Sequence, residues 1–201
     1  MLTQLRPALV LLALFTLLTV FAYPLAVTGI AQAVFPHQAN GSLIVKDGRT
    51  IGSELIGQNF TSEKYFHGRP SATTDPDPDD SSKTIAAPYN AAASTGSNLG
   101  PTSKALIDRV KSDVDKLKAE NPGVPVPGDL AAASASGLDP HISVAAALFQ
   151  QARVAKARGL TAARLRQMIE SHVEPRWLGI FGEPVVNVLE LNLALDVQEA
   201  G

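Results

Sequence analysis

The sequence contains no cysteine. Disulfides, thiolate metal sites and cysteine nucleophiles are thereby excluded, and the redox compartment is left open. Positive charge is also short. The formal net charge is −2, and no basic run carries interleaved aromatic residues. Proteins that grip nucleic acid through its phosphates need that footprint, so nucleic acid is not an expected partner. Catalytic signatures are missing as well. There is no phosphorylatable Asp-Lys-Thr-Gly-Thr, Walker A loop, Gly-x-Gly-x-x-Gly, Gly-x-Ser-x-Gly or His-Glu-x-x-His. The four histidines, His37, His67, His141 and His172, are scattered without the spacing of metal ligands. The chain offers no constellation for enzyme chemistry, so neither a catalytic residue nor a bound metal is expected.

The most informative absence is charge near the amino terminus. Between Arg6 and Lys46 there is no Asp, Glu, Lys or Arg, and residues 7–35 are almost wholly apolar. About 20 helical residues cross the hydrocarbon core of a bilayer, so this segment is long enough to span one. A cleaved signal peptide is the rival, because Ala31-Gln32-Ala33 has the form of a cleavage site and Pro24 would break the helix before it. The apolar run from Ala8 to Tyr23 is at or beyond the roughly 7–15 residues of a signal core, which favours a retained span. Arg6 and the amino terminus, set against Lys46 and Arg49, give a thin positive-inside bias. The expected organisation is a cytoplasmic stretch at 1–6, a transmembrane helix at 7–34 and an extracytoplasmic soluble domain at 35–201.

Within the span, Thr19, Ala22, Ala26, Gly29 and Ala33 step by 3, 4, 3 and 4. Small residues along one face allow close approach of a partner helix in lipid, although such residues are common in spans by chance. One helix cannot enclose a hydrophilic pathway, because its lipid-facing sides must be apolar, so any transport role is accessory to other spans.

Beyond the span, residues 42–53 read as a hairpin turning at Asp47-Gly48. A polar, Gly- and Pro-rich region at 55–102 follows, too long for an idle loop in a compact domain. Its acidic stretch at 75–80 reads as an extended solvated loop rather than a cation collector. Residues 96–101 lead into a helix start at Thr102 or Ser103, an ordinary cap that resembles a phosphate cradle only in pattern. Apolar positions Leu106, Ile107, Val110, Val114 and Leu117 predict a helix ending at Asn121. Further helices are predicted over 143–158, stopped by Gly159, and over 161–173. Leu189, Leu191, Leu193 and Leu195 alternate with Glu190, Asn192 and Ala194, which predicts a strand with one buried face. The fold class is α+β: one N-terminal transmembrane helix followed by a small extracytoplasmic α+β domain.

Several ordered runs give the chain a family likeness. They are Gly52-Ser-Glu-Leu-Ile-Gly-Gln-Asn-Phe60, Tyr65-Phe-His-Gly-Arg-Pro-Ser-Ala72, Tyr89-Asn90 with Ser94, Gly96-Ser-Asn-Leu-Gly-Pro101, Ser134–Ser143 leading to Arg153–Arg158, and Gly182–Asn187 through Leu195. Together they resemble the KdpC family, the C subunit of the Kdp potassium-transporting P-type ATPase. The resemblance implies a non-catalytic subunit of a bacterial inner-membrane complex, single-pass with its amino terminus in the cytoplasm. It implies two partners besides lipid, a channel-like potassium-binding subunit and a phosphorylated P-type ATPase subunit. ATP and K+ would act at the complex. Roles credited to such subunits are assembly and stabilisation, or raised nucleotide affinity through a Gln near Gly57-Gln58; the external placement of the domain favours assembly together with a cap near the potassium entrance. A membrane-tethered extracytoplasmic binding protein is the alternative of another class. Surface candidates carried over from the motifs are Gln58, Tyr65, Phe66, Arg69, Pro70, Tyr89, Asn90, Ser97, Asn98, Asp139 and Asn187, with Arg69 expected in a salt bridge.

Overall fold

The computed structural model describes residues 2–199. They form two compact units, divided between Ser53 and Glu54.

The first unit is built on a helix running from Leu5 to Val34, with Arg6 its one charged residue and no residue of its most apolar window buried. It consists of α1 (Leu5–Thr16), a wide π-type segment at Leu17–Ala22, and α2 (Tyr23–Val34). The wide turn has a local cause. Pro24 has no N–H to donate back, and its ring crowds the preceding turn. The backbone relieves this by widening immediately before it, with the Tyr23 N–H reaching back to the Leu18 carbonyl. Thr19 Oγ1 donates to the Phe15 carbonyl at 2.6 Å, giving that oxygen a side-chain donor. A short α3 (Pro36–Ala39) follows, and its end is tied to the long helix by paired Gln32 and Asn40 side chains. Strands β1 (Leu43–Lys46) and β2 (Arg49–Ser53) then pair antiparallel. Asp47 and Gly48 both have positive φ, 51° and 73°, the backbone of the tight hairpin turn expected at these residues.

The second unit is the α+β domain. Strands β3 (Thr74–Pro76) and β4 (Thr84–Ala86) make a small exposed hairpin. The acidic stretch enters β3 and then closes in two side-chain turns. Asp77 Oδ1 accepts from the Asp79 N–H, and Asp80 Oδ1 accepts from the Ser82 N–H. The central sheet has three antiparallel strands in the order β5 (His141–Ser143), β7 (Val185–Asn187), β6 (Val173–Glu174). Helices α5 (Val144–Arg158), α6 (Ala162–Ser171) and α7 (Val188–Glu199) carry most of the core, and α4 (Lys104–Glu120) adds Leu117 at its edge. Ser143 and Thr161 cap α5 and α6 through their side chains, and Gly159 ends α5 in the left-handed conformation. Ser103 stands at the N-cap of α4 without a side-chain cap bond.

One expectation is overturned here. Residues 188–199 form a helix, not a strand. The alternating leucines coincide with a broader helical pattern in which Val188, Leu189, Leu191, Asn192 and Leu195 are all buried. Asn187 starts the helix, its Oδ1 accepting from the Leu189 and Glu190 N–H groups at 3.1 and 3.3 Å. Leu193, which a strand would bury as fully as its neighbours, is only half-buried. Leu191→Ala and Leu195→Ala are each expected to cost about 2–5 kcal/mol, and Leu193→Ala distinctly less. Urea denaturation of the detergent-solubilised full chain measures the difference, and equal losses at all three positions would favour the strand.

Candidate functional site

The segment Tyr65–Pro70 is irregular backbone laid across α5 and α7, and its placement starts from Phe66. That ring is fully buried in the core, so the peptide groups on either side of it are taken out of water and need partners. Two buried carboxamides supply them. Asn192 Oδ1 accepts from the Phe66 N–H at 2.9 Å, and its Nδ2 donates to the Phe66 carbonyl at 2.9 Å. Gln150 repeats the pattern one residue on, accepting from the His67 N–H at 2.8 Å and donating to the His67 carbonyl at 3.0 Å. Each amide side chain acts as a one-residue strand.

Two arginines of α5 hold the approach to the loop. Arg153 donates to the carbonyls of Glu63 and Tyr65 at 2.6 and 3.0 Å and pairs with Glu120 at 2.7 Å. Arg158 donates to the Lys64 carbonyl at 2.7 Å, pairs with Asp196 at 2.9 Å, and lies over the Tyr65 ring at 4.8 Å. The Tyr65 hydroxyl donates to the other oxygen of Asp196 at 3.0 Å.

Beyond Phe66 the loop meets Tyr89. The Tyr89 hydroxyl donates to the Arg69 carbonyl at 2.8 Å, and its N–H to Ser71 Oγ at 3.0 Å. Glycine is required where the loop passes this ring. A Cβ at Gly68 would fall on the hydroxyl, and one at Gly57 would come within 2.5 Å of the ring and 2.9 Å of the Asp139 carbonyl. Burial, helped by the charge of Asp139, pushes the Tyr89 phenol up to about 12. Arg69 pairs with Asp139 at 2.9 Å, both side chains about a quarter exposed. Asp139 also accepts from the His141 N–H at 3.0 Å, and His141 bridges onward to Glu174 at 3.3 Å. Burial raises the Asp139 carboxyl, but hydrogen bonds from His141 and the Arg69 charge outweigh it and hold the pKa below the ordinary range. The same contacts raise His141: the hydrogen bond with Asp139 outweighs burial, and Glu174 adds to it.

A cleft of about 510 Å³ runs between this loop and α4, lined by His67, Arg69, Tyr89, Ser97, Arg109 and Lys116 among others. Its two arginines carry carboxylate partners already, Asp139 for Arg69 and Asp113, at 2.9 Å, for Arg109. Burial and the Arg153 charge push His67 below its ordinary value, toward the neutral form. The cleft is a largely apolar groove, with Phe60, Leu99, Leu117 and Leu130 in its wall, and most of its charge is neutralised from within.

The structure thus gathers Tyr65, Arg69, Pro70, Tyr89, Asn90 and Asp139 around one loop, with Ser97 across the cleft. Gln58 is half-buried beside it, Asn98 is exposed with φ of 51°, and Asn187 caps α7 while donating to the Glu54 carbonyl at 2.8 Å. Phe66 does not belong with surface candidates, because its ring is core. Gln150, Asn192 and Asp196 were missed by sequence reasoning, although for Gln150 and Asn192 an uncharged polar residue inside a buried helical face is the signal for such a clamp.

The full chain can now be set beside known proteins. Residues 5–197 match the KdpC family, described as the c chain of K+-transporting ATPase. The chain belongs to the KdpC family. Proteins named potassium-transporting ATPase KdpC subunit are 68% identical in Rhodopseudomonas palustris BisB18 and 65% in Bradyrhizobium diazoefficiens, each over 98% of both chains. The protein of that name in Methylobacterium nodulans is 64% identical over the same share.

Two histidines give this KdpC chain a pH signature. The raised pKa of His141 means that its stabilising contribution is full below 6.5 and is lost as pH rises through the raised value. The lowered pKa of His67 means that stability is lost as pH falls below 6.5 toward the lowered value. His141→Gln is expected to flatten only the alkaline limb of stability against pH, and His67→Gln only the acid limb. Chemical denaturation of the solubilised chain across pH checks this, and an alkaline limb unchanged in His141→Gln overturns it.

Proposed function

We propose that this chain is a non-catalytic accessory subunit of an ATP-driven potassium transporter, fixed in the membrane by its one long helix. The observation that carries the proposal is the family match along residues 5–197, joined to a 30-residue apolar helix, Leu5–Val34, whose one charged residue is Arg6 near its start. One span cannot enclose an ion pathway. The pore and the ATP chemistry therefore belong to partners, a channel-like potassium-binding subunit and a phosphorylated P-type subunit.

The role of the chain in that complex is assembly and stabilisation, with the soluble domain, residues 35–201, outside the cytoplasm and capping the potassium entrance. Residues 1–6 stay inside and 7–34 cross the membrane. Docking uses the small-residue face of the span. Thr19 and Ala22 lie in the widened turn, with the Thr19 hydroxyl bonded to its own helix, so Ala26, Gly29 and Ala33 make the continuous part of that face along α2. A Cβ at Gly29 would meet nothing within this chain, which leaves room for the backbone of a neighbouring helix. An external domain also removes Gln58 from contact with ATP, which is cytoplasmic.

A carboxy-terminal reporter active on one side of the membrane is expected to give the external signal. A cytoplasmic signal would overturn this topology and make nucleotide binding at Gln58 the function to test. Ala26→Leu is expected to lower recovery of the other subunits with this chain, by blocking close helix approach. Equal recovery would remove the small-residue face from the docking surface.

A further inference from the structure

The hairpin joining β6 to β7 ends in an apolar tip that the interactions described so far do not use. Trp177, Leu178, Ile180 and Phe181 are 70%, 71%, 72% and 58% exposed, four large apolar side chains within five residues. Single exposed apolar residues are ordinary, but a contiguous group marks a surface that another molecule covers. The tip is also firmly built. The Trp177 N–H donates to the Phe181 carbonyl at 2.9 Å and the Phe181 N–H to the Trp177 carbonyl at 3.0 Å. The two rings meet tilted by 42° with centroids 5.7 Å apart, and Arg176 pairs with Glu183 at 2.6 Å across the base. The turn places Leu178 and Gly179 at φ of 52° and 73°. A leucine is strained there, where asparagine would sit easily in a loop meant only for solvent.

We propose that this tip is an anchor seated in an apolar pocket on another subunit of the same potassium-transporting ATPase. The proposal rests on the complex membership argued above. Charge selects a protein rather than the bilayer. Arg176 is already paired with Glu183, and Glu174 bridges to His141, so the arms offer anionic lipid no free basic group to hold. Size disfavours a second copy of this chain. Two tips of five residues fall far short of the roughly 1,200–2,000 Å² of a stable interface, so the tip serves as a hot spot within a larger contact. Its fixed shape means little ordering on docking, and tryptophan flanked by arginine is the composition such anchors favour.

The test uses the assembled complex. A photo-crosslinking residue placed at Ile180 is expected to give an adduct whose mass identifies another subunit of the complex. An adduct with lipid only, with a second copy of this chain, or with nothing overturns the proposal. Trp177→Ser is expected to leave the thermal unfolding of this chain unchanged and to cut recovery of the other subunits about tenfold or more. If the wild-type chain recovers no other subunit, complex membership falls and the anchor with it. If the wild type and Trp177→Ser recover them equally, the anchor alone falls.

Discussion

The α+β domain depends on a buried aromatic ring carried by a segment with no regular structure. Phe66 packs against α5 and α7, and its peptide groups follow it out of water. An unpaired buried amide costs about 1–3 kcal/mol, so two adjacent residues without partners would offset most of what the ring contributes. Asn192 and Gln150 remove that cost by presenting an amide in the geometry of a neighbouring strand. Arg153 and Arg158 then satisfy carbonyls at 63, 64 and 65, and the Glu120 and Asp196 carboxylates balance their charge. Helix register fixes the rest: the clamping residues must face the loop, and so α5 and α7 can seat in only one way.

That constraint propagates to the second half of the loop. With Phe66 fixed, Gly68 passes the Tyr89 hydroxyl at a distance only glycine allows, and Arg69 is brought to Asp139. Asp139 in turn accepts from the His141 backbone at the start of β5. The central sheet, the motif loop and the Tyr89 turn are thus linked through hydrogen bonds to buried or half-buried groups, where each bond is worth more than at the surface.

Local chemistry was readable in the sequence wherever the signal was confined to a few residues. Asp47-Gly48 named its turn because both positions need positive φ. Ser143, Thr161 and Gly159 named helix ends because caps act through their own side chains or lack of one. Patterns that depend on tertiary context misled. Leucines at 189, 191, 193 and 195 have the strand period, but α7 is buried so broadly that its helical period is masked, and only the Asn187 cap discloses it. Pro24 signalled a break in the long helix, whereas the backbone stays helical and widens into a π-type turn before it. The clamps were invisible because Gln150 and Asn192 act on residues 83 and 126 positions away.

The motif residues and the exposed tip answer different physical demands. Tyr65, Arg69, Tyr89, Asp139 and Asn187 spend their polar groups inside the chain, on carbonyls, carboxylates and a helix start. A side chain committed in this way holds the fold and has little left to offer a partner. Trp177, Leu178, Ile180 and Phe181 are the reverse, since they touch little of their own chain and leave apolar surface in water. An accessory subunit of a transport complex acts through what it binds. Its function is therefore better sought in the groups the fold leaves unspent than in those the fold consumes, and the family motifs explain why the domain has its shape while the hairpin tip explains what that shape presents.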